Sequence, residues 1–414
     1  MRFSCTVIYP KSAHLKLVAI LCSTVGCFPW QFMLTDNTIF QTAYKYYSRI
    51  TLFLYFTLIC SVYVELFSLV SIRPLRFDEI VRNVCLTLLC TNTITRQLIM
   101  RLKPQIRNII LNIINAEKYI KDTYDDTVIA IYTKCASNTT RKTVAYSLFV
   151  SITSLMHFIR PFCVYDTVVR RNVTLTYRSF PLSAWVPFDP YDYYWETFFL
   201  TSTWVLIGTF FLCANDILNF ALIMYPSGQL EMLHNILRDF KHYKENIMKH
   251  NPSIGDKKAS FFLLKKCIEM HKEIIKYVDD FNDSMSIFMV FDFLQTSLQL
   301  ASATSQLVVM EFTPHTIGFV GGFFVMLMYR LCIIYYYANE ILLLSEDLAY
   351  SAFKSNWYDL SPHTKYMFQI FMLRCKKPLV LKIGPFGFMT LSTLLSILQA
   401  SYTYFMFIYS SQEK

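Results

Sequence analysis

The sequence predicts an all-α membrane protein of seven transmembrane helices, with a cytoplasmic N-terminus, an extracellular C-terminus and cytoplasmic helical anchor extensions. Three observations lead there. Seven apolar stretches divide the chain, each near the ~20 residues a helix needs to cross ~30 Å of hydrocarbon. Lys and Arg crowd into alternate gaps between those stretches. The 414 residues are 54% hydrophobic and 17% aromatic, too apolar for a soluble domain of that length. A spanning backbone must satisfy its own hydrogen bonds, so long single stretches read as helices.

Residues 1–49 come first, as a cytoplasmic segment. Within it Leu17–Trp30, behind Lys11 and Lys16, has the form of a signal-peptide core. A cleaved signal would put the next loop outside, against the charge distribution. An interfacial or re-entrant stretch agrees with it, and Pro29 and Trp30 suit an interface. Residues 50–337 then carry six spans: Ile50–Val70, Glu79–Leu98, Val144–Phe162, Phe198–Leu222, Ile287–Met310 and Ile317–Tyr337. Between the fourth and fifth, 223–286 holds two amphipathic patterns, one through Leu230, Leu233, Leu237 and Phe240, the other through Leu264, Ile268, His271 and Ile275. A turn around Pro252 and Gly255 divides them. They read either as a hairpin lying on the membrane or as cytoplasmic continuations of spans four and five, and the unbroken run from Phe281 into span five favours continuation. Residues 338–414 hold two more cytoplasmic helices, interrupted at Pro362 and ended at Pro378, and then the last span, Phe386–Tyr409.

Charge sets the orientation. Of the 39 Lys and Arg, 29 lie in 1–49, 99–143, 223–286 and 338–385, whereas six lie in the other gaps and the tail. The positive-inside rule places the larger set in the cytoplasm. A seven-helix G-protein-coupled receptor has the reverse orientation, and this chain has neither Asp-Arg-Tyr after span three nor Asn-Pro-x-x-Tyr in span seven. The net charge of +10 is therefore a topology signal and implies no nucleic-acid partner. Of the glycosylation sequons at Asn138, Asn172 and Asn282, only Asn172 faces outside in this topology.

The 12 Cys fall mostly in spans or cytoplasmic loops and read as small apolar residues. No Cys/His spacing implies a metal, no cofactor is implied, and no acid–base pair suggests an enzyme. No inverted repeat points to a transporter. Charges do occur where lipid should be: Asp216, Asp292 and Arg330 fall at matching depths in spans four, five and six. Such groups need partners or a wet cavity. They are expected to pair, as a switch or ion-path element or as a network that only specifies packing.

Several strings carry a family likeness. Val25-Gly26-Cys27-Phe28-Pro29 is similar to a Gly-x-Trp-Pro element, with Phe for Trp. Phe180-Pro181-Leu182-Ser183-Ala184-Trp185-Val186-Pro187-Phe188-Asp189 is similar to a Pro-x-x-Ala-Trp-x-Pro-Phe-Asp element in the second outer loop. His271 stands ahead of span five, and Ile397-Leu398-Gln399-Ala400-Ser401-Tyr402-Thr403-Tyr404-Phe405 resembles a terminal Leu-Lys-Ala-Ser-Tyr-Ser-Tyr-Phe. In this order, from about residue 25 to 410, they resemble the insect odorant receptors, as a tuned subunit and not the longer co-receptor.

That resemblance implies an odorant-gated, non-selective cation channel in the plasma membrane of a sensory neuron's dendrite. Its expected partners are the co-receptor, in a heterotetramer, membrane lipid and a small volatile or semi-volatile odorant. It implies a pore lined by the last span, with Phe407 at a hydrophobic gate and Ser410 at the outer mouth. It implies a ligand pocket in the outer halves of spans two, three, four and six: Asn83, Leu86 and Thr87; Ser154, Met156 and His157; Phe199, Thr203 and Trp204; and Phe319, Phe323 and Met326. A gustatory receptor channel of the sister family is the nearest alternative. Its tail signature of Thr-Tyr, five apolar residues and Gln-Phe is broken here by Ser410-Ser411.

Overall fold

A computed structural model of the chain describes residues 12–28, 38–71, 77–122, 126–170, 173–250, 252–309 and 314–412. The helices run α1 (Lys16–Thr24), α2 (Thr38–Ser71), α3 (Phe77–Leu102), α4 (Pro104–Asp122), α5 (Asp126–Cys163), α6 (Tyr194–Arg238), α7 (Phe240–His250), α8 (Asp256–Val309), α9 (Pro314–Lys354), α10 (Pro362–Cys375) and α11 (Leu391–Gln412). The seven expected spans fall in α2, α3, α5, α6, α8, α9 and α11. The last starts at Leu391 and not at Phe386, because a tight bridge between Lys382 and Phe388 precedes it, with Gly384 and Gly387 at positive φ in its turn.

Among the described residues, α2, α5, α6 and α9 are long and apolar enough to cross a membrane on length and composition alone. The inner face of α3 is polar, with Asn83, Asn92, Arg96 and Gln97 all buried. Apolar side chains instead point outward where lipid would meet them, as at Ile50, Phe53, Phe56 and Phe67 on α2.

The 54 residues of α8 span about 80 Å, far more than a bilayer core. α6 also outruns its span, with 45 residues. The two patterns of 223–286 are therefore the ends of α6 and α8 with the short α7 between, and not a separate surface hairpin. Pro226 lies inside α6 and lacks the N–H that would bond Leu222 four residues back. The Tyr277 hydroxyl of α8 donates to that freed carbonyl at 2.8 Å. Around these extensions α10 packs back, with Phe368 against Phe240 and Trp357, and Phe371 edge-on to His271.

Helix α1 is seated in the bundle, with Val18, Ala19 and Cys22 buried. His14 Nε2 lies 2.9 Å from the Ala221 carbonyl, and the Cys22 thiol donates to the Ala214 carbonyl at 3.2 Å, both on α6. Gly26 turns the chain after it at φ +72. Its carbonyl accepts from Arg101 at 2.6 Å and from Ser48 at 2.8 Å, and a Cβ there would sit 2.9 Å from the Ser48 Cα. A side chain fits neither the dihedral nor the space, which accounts physically for glycine in the N-terminal motif. Pro29 and Trp30 lie outside the described residues.

One feature was not anticipated from sequence: strands β1 (Tyr165–Arg170) and β2 (Val173–Arg178) form an antiparallel hairpin in the loop after α5, from Tyr165↔Arg178 to Arg170↔Val173. Of the three sequon asparagines, Asn172 lies outside the described residues. Asn138 donates to the Tyr337 hydroxyl at 2.7 Å inside α5, and Asn282 is buried between the Val380 carbonyl and the Lys382 N–H. The described cysteines are free thiols.

Candidate functional site: a cavity above a buried ion cluster

Five helices and one loop line a partly open cavity of about 100 Å³. α2 contributes Tyr55 and Leu58; α3, Leu86, Leu89, Cys90 and Thr93; and α5, Val150, Thr153, Ser154 and His157. α6 adds Trp204, Val205, Gly208, Thr209 and Leu212, and α9 adds Phe323 and Met326. The walls are almost wholly apolar or aromatic, as suits a small organic molecule and not an ion.

The loop between α5 and α6 that carries the Pro-x-x-Ala-Trp-x-Pro-Phe-Asp string closes one end. Leu182 projects into the lining. His157 Nδ1 lies 3.0 Å from the Pro181 carbonyl and therefore donates to it, while Asn83 donates to the Ser183 carbonyl at 3.3 Å. The Trp185 N–H donates to the Ser61 carbonyl at 3.3 Å and Ser61 returns a bond to the Trp185 carbonyl at 2.6 Å. Asp189 then accepts from the N–H groups of Tyr191 and Asp192, just ahead of α6. The Pro-x-x-Ala-Trp-x-Pro-Phe-Asp string is thus a plug strapped by its backbone to α2, α3 and α5.

The ion cluster closes the other end. Arg96 lies three residues beyond Thr93, Asp216 four beyond Leu212, and Arg330 four beyond Met326, so each charge sits one helical turn below a lining residue. Arg330 Nε bonds Asp216 at 3.1 Å and its Nη2 bonds Asp292. Arg96 bonds Asp216 through Nη1 and Asp292 at 3.2 Å through Nη2. Tyr146 donates to the second Asp216 oxygen, Asn92 donates to Asp292 at 3.1 Å, and Arg330 Nη1 donates to Thr296 at 3.3 Å. The Arg96 guanidinium lies 4.4 Å from the Phe288 ring centroid. Two cations and two anions make a neutral cluster across α3, α6, α8 and α9, with all four residues at most 6% exposed. The three charges named from sequence do meet; Arg96, the second cation, was not among them. α8 carries the connection onward to α11, where the Ser401 hydroxyl donates to the Ile397 carbonyl of its own helix at 2.8 Å and lies 3.2 Å from the Ser297 carbonyl of α8.

Of the ligand-site residues named from sequence, Leu86, Ser154, His157, Trp204, Phe323 and Met326 line the cavity. Asn83 and Thr87 stand above it and bond each other, the Thr87 hydroxyl donating to the Asn83 carbonyl at 2.7 Å. Phe319 packs edge-on against the His157 ring at 4.7 Å, behind the lining, and Met156 is outside the lining too. Phe199 is 65% exposed and Thr203 is exposed as well; both turn away from the cavity toward the outside of α6. The α2 wall and the face Val205, Gly208, Thr209 and Leu212 were missed. The latter continues Trp204 at three- and four-residue steps, a signal the sequence does hold. The side chain of Phe407 lies outside the described residues; Ser410 is exposed near the end of α11.

A family model of the 7tm odorant receptors matches residues 76–402. Odorant receptor 30a of Drosophila melanogaster is 25% identical over 360 residues, covering 85% of this chain and 87% of that protein. The odorant receptor coreceptor of Harpegnathos saltator is 27% identical over 147 residues, 34% of this chain and 30% of that protein. The solved insect olfactory receptor OR5 from Machilis hrabei, in complex with eugenol, has the same fold: a TM-score of 0.75 over 96% of this chain and 97% of that one, at 14% identity. Of the readings the sequence left open, the sister gustatory family and the G-protein-coupled receptor give way to this match. The chain is a membrane protein of the 7tm odorant receptor family, a family of ligand-gated channels and not of enzymes.

Proposed function

We propose that this chain is a ligand-tuned subunit of an odorant-gated, non-selective cation channel. It works with the co-receptor, in a heterotetramer in the plasma membrane of a sensory dendrite, N-terminus inside and C-terminus outside. The odorant, a small volatile or semi-volatile organic molecule, occupies the cavity between the helices. The observation that carries this reading is the stacking of three layers: cavity, ion cluster one turn below, and α8, which joins the cluster to α11 through Ser297 and Ser401. A ligand that shifts Met326 or Thr93 moves Arg330 or Arg96, and with them α8 and the pore helix.

Assembly is supported by apolar residues left exposed on the single chain. Tyr366, Ile370 and Leu373 lie three or four residues apart on α10 and form a stripe that a neighbouring subunit would cover. The open face of α11, with Leu395 and Tyr402, suits a helix that meets lipid and other subunits around a pore. Within that helix, Phe407 is the proposed gate, closing by dewetting, and Ser410 the outer mouth.

Current recording against a broad odour panel tests the reading. Currents are expected with both subunits and absent with this chain alone; odour-evoked current without the co-receptor would remove the partner. Phe407→Ala is expected to raise leak current or shift odour sensitivity, and unchanged full dose curves would take Phe407 out of the gate.

A further inference from the structure

The cavity wall is not uniformly apolar in its hydrogen bonding, and one hydroxyl stands apart. Most of the polar hydrogens on the lining are already given to protein acceptors. Tyr55 donates to the Cys90 carbonyl at 3.2 Å, Thr93 to the Leu89 carbonyl at 2.8 Å and Thr153 to the Val150 carbonyl at 2.9 Å. His157 donates to the plug, at the Pro181 carbonyl.

Ser154 differs. Its oxygen accepts from the Thr209 hydroxyl at 3.2 Å, and its own O–H has no protein acceptor among the described residues. A helical serine ordinarily gives that hydrogen to the carbonyl four residues back; here Thr153 takes the Val150 carbonyl instead. Ser154 is 8% exposed, so the O–H has the cavity and not bulk water before it. Accepting a bond from Thr209 also polarises the Ser154 hydroxyl, which makes it the stronger donor. The indole N–H of Trp204 is the other uncommitted donor on the lining, and the Cys90 thiol is a weak third.

From this geometry we infer that Ser154, polarised by Thr209, selects odorants bearing a hydrogen-bond-accepting oxygen: small ketones, aldehydes, esters, ethers or alcohols over hydrocarbons of equal size. The inference deepens the functional reading above and rests on the cavity being the ligand site. A filled cavity with no acceptor strands a buried donor, which costs affinity, whereas an oxygen lone pair satisfies it. An apolar cavity of roughly 150 Å³ holds benzene, so this one, at about 100 Å³, admits a six- or seven-atom ring only as its walls move apart.

Cyclohexanone and methylcyclohexane make a matched pair, equal in heavy atoms and differing in one acceptor. Binding to the full chain assembled with the co-receptor in nanodiscs is read from the thermal midpoint against ligand concentration. The native chain is expected to favour cyclohexanone, and Ser154→Ala to cut cyclohexanone affinity roughly three- to tenfold while leaving methylcyclohexane unchanged. Thr209→Val should lower the preference by a smaller factor, and it carries the test if the alanine variant does not fold. Trp204→Phe should keep the preference. The inference is overturned if neither ring stabilises the native complex, if it shows no preference, or if the preference survives loss of Ser154 or vanishes with Trp204→Phe. Oxygen-dependent binding without any odour-evoked current would sink the channel reading and leave this one standing; currents driven only by hydrocarbons would do the opposite.

Discussion

Arg330 holds two aspartates at once, and its planar fork explains why arginine stands there. Nε faces Asp216, Nη2 faces Asp292 and Nη1 reaches Thr296, three directions that a lysine ammonium cannot serve from one point. Taking two such ion pairs out of water is costly, and removing one partner costs more than the pair contributes, because the remaining charges are stranded. Arg330→Met is therefore expected to destabilise the bundle by about 3–5 kcal/mol, seen as lost surface labelling and a lowered thermal midpoint. Arg330→Lys should recover little of that loss. Wild-type labelling of Arg330→Met would show that the cluster bears no structural weight. Asp216, Asp292 and Arg330 were legible in the sequence because each interrupts an apolar run. Arg96 was not, since Thr95 and Gln97 beside it make the surrounding stretch polar and hide the charge.

At the scale of elements, the extensions of α6 and α8 beyond their apolar spans carry a pH dependence of their own. His271 of α8 is buried against Phe371, with its Nδ1 3.9 Å from the Cys375 thiol. Burial, and then the nearby Arg374, pushes this imidazole down from 6.5 to about 4. Between those two values an unfolded chain binds a proton that the packed helices exclude, so stability falls as pH drops through the window and rises with pH within it. Below about 4 both states are protonated and the dependence ends. The thermal midpoint should fall on acidification from pH 6.5 toward pH 4, and His271→Gln should flatten that slope; an unchanged slope in the variant would assign the acid sensitivity elsewhere. The helices themselves were readable from apolar spacing at three and four residues. The β1–β2 hairpin was not, because its pairing joins two short strands within a loop already accounted for by the topology.

For the whole molecule the decisive question is orientation, which rests on the uneven distribution of 39 Lys and Arg. An epitope fused after Lys414 is expected to bind antibody on intact cells. Deglycosylation should shift gel mobility only through Asn172, so Asn172→Gln should abolish any shift. Asn138→Gln and Asn282→Gln should not, because those side chains are engaged inside helices. A hidden C-terminal epitope would invert the topology and move the cavity to the cytoplasmic half.

By itself the sequence determined the class, the seven apolar spans and the family likeness, and it favoured the long helical continuations of spans four and five. These are signals written along one dimension: the length of apolar runs, the spacing of leucines and the order of short motifs. The tertiary structure alone decided which side chains share the cavity. Successive residues on a helix turn by about 100°, so Trp204 faces inward while Thr203, one position earlier, faces out. Which of them looks in depends on how α6 packs against helices more than a hundred residues away in sequence, such as α3 and α9.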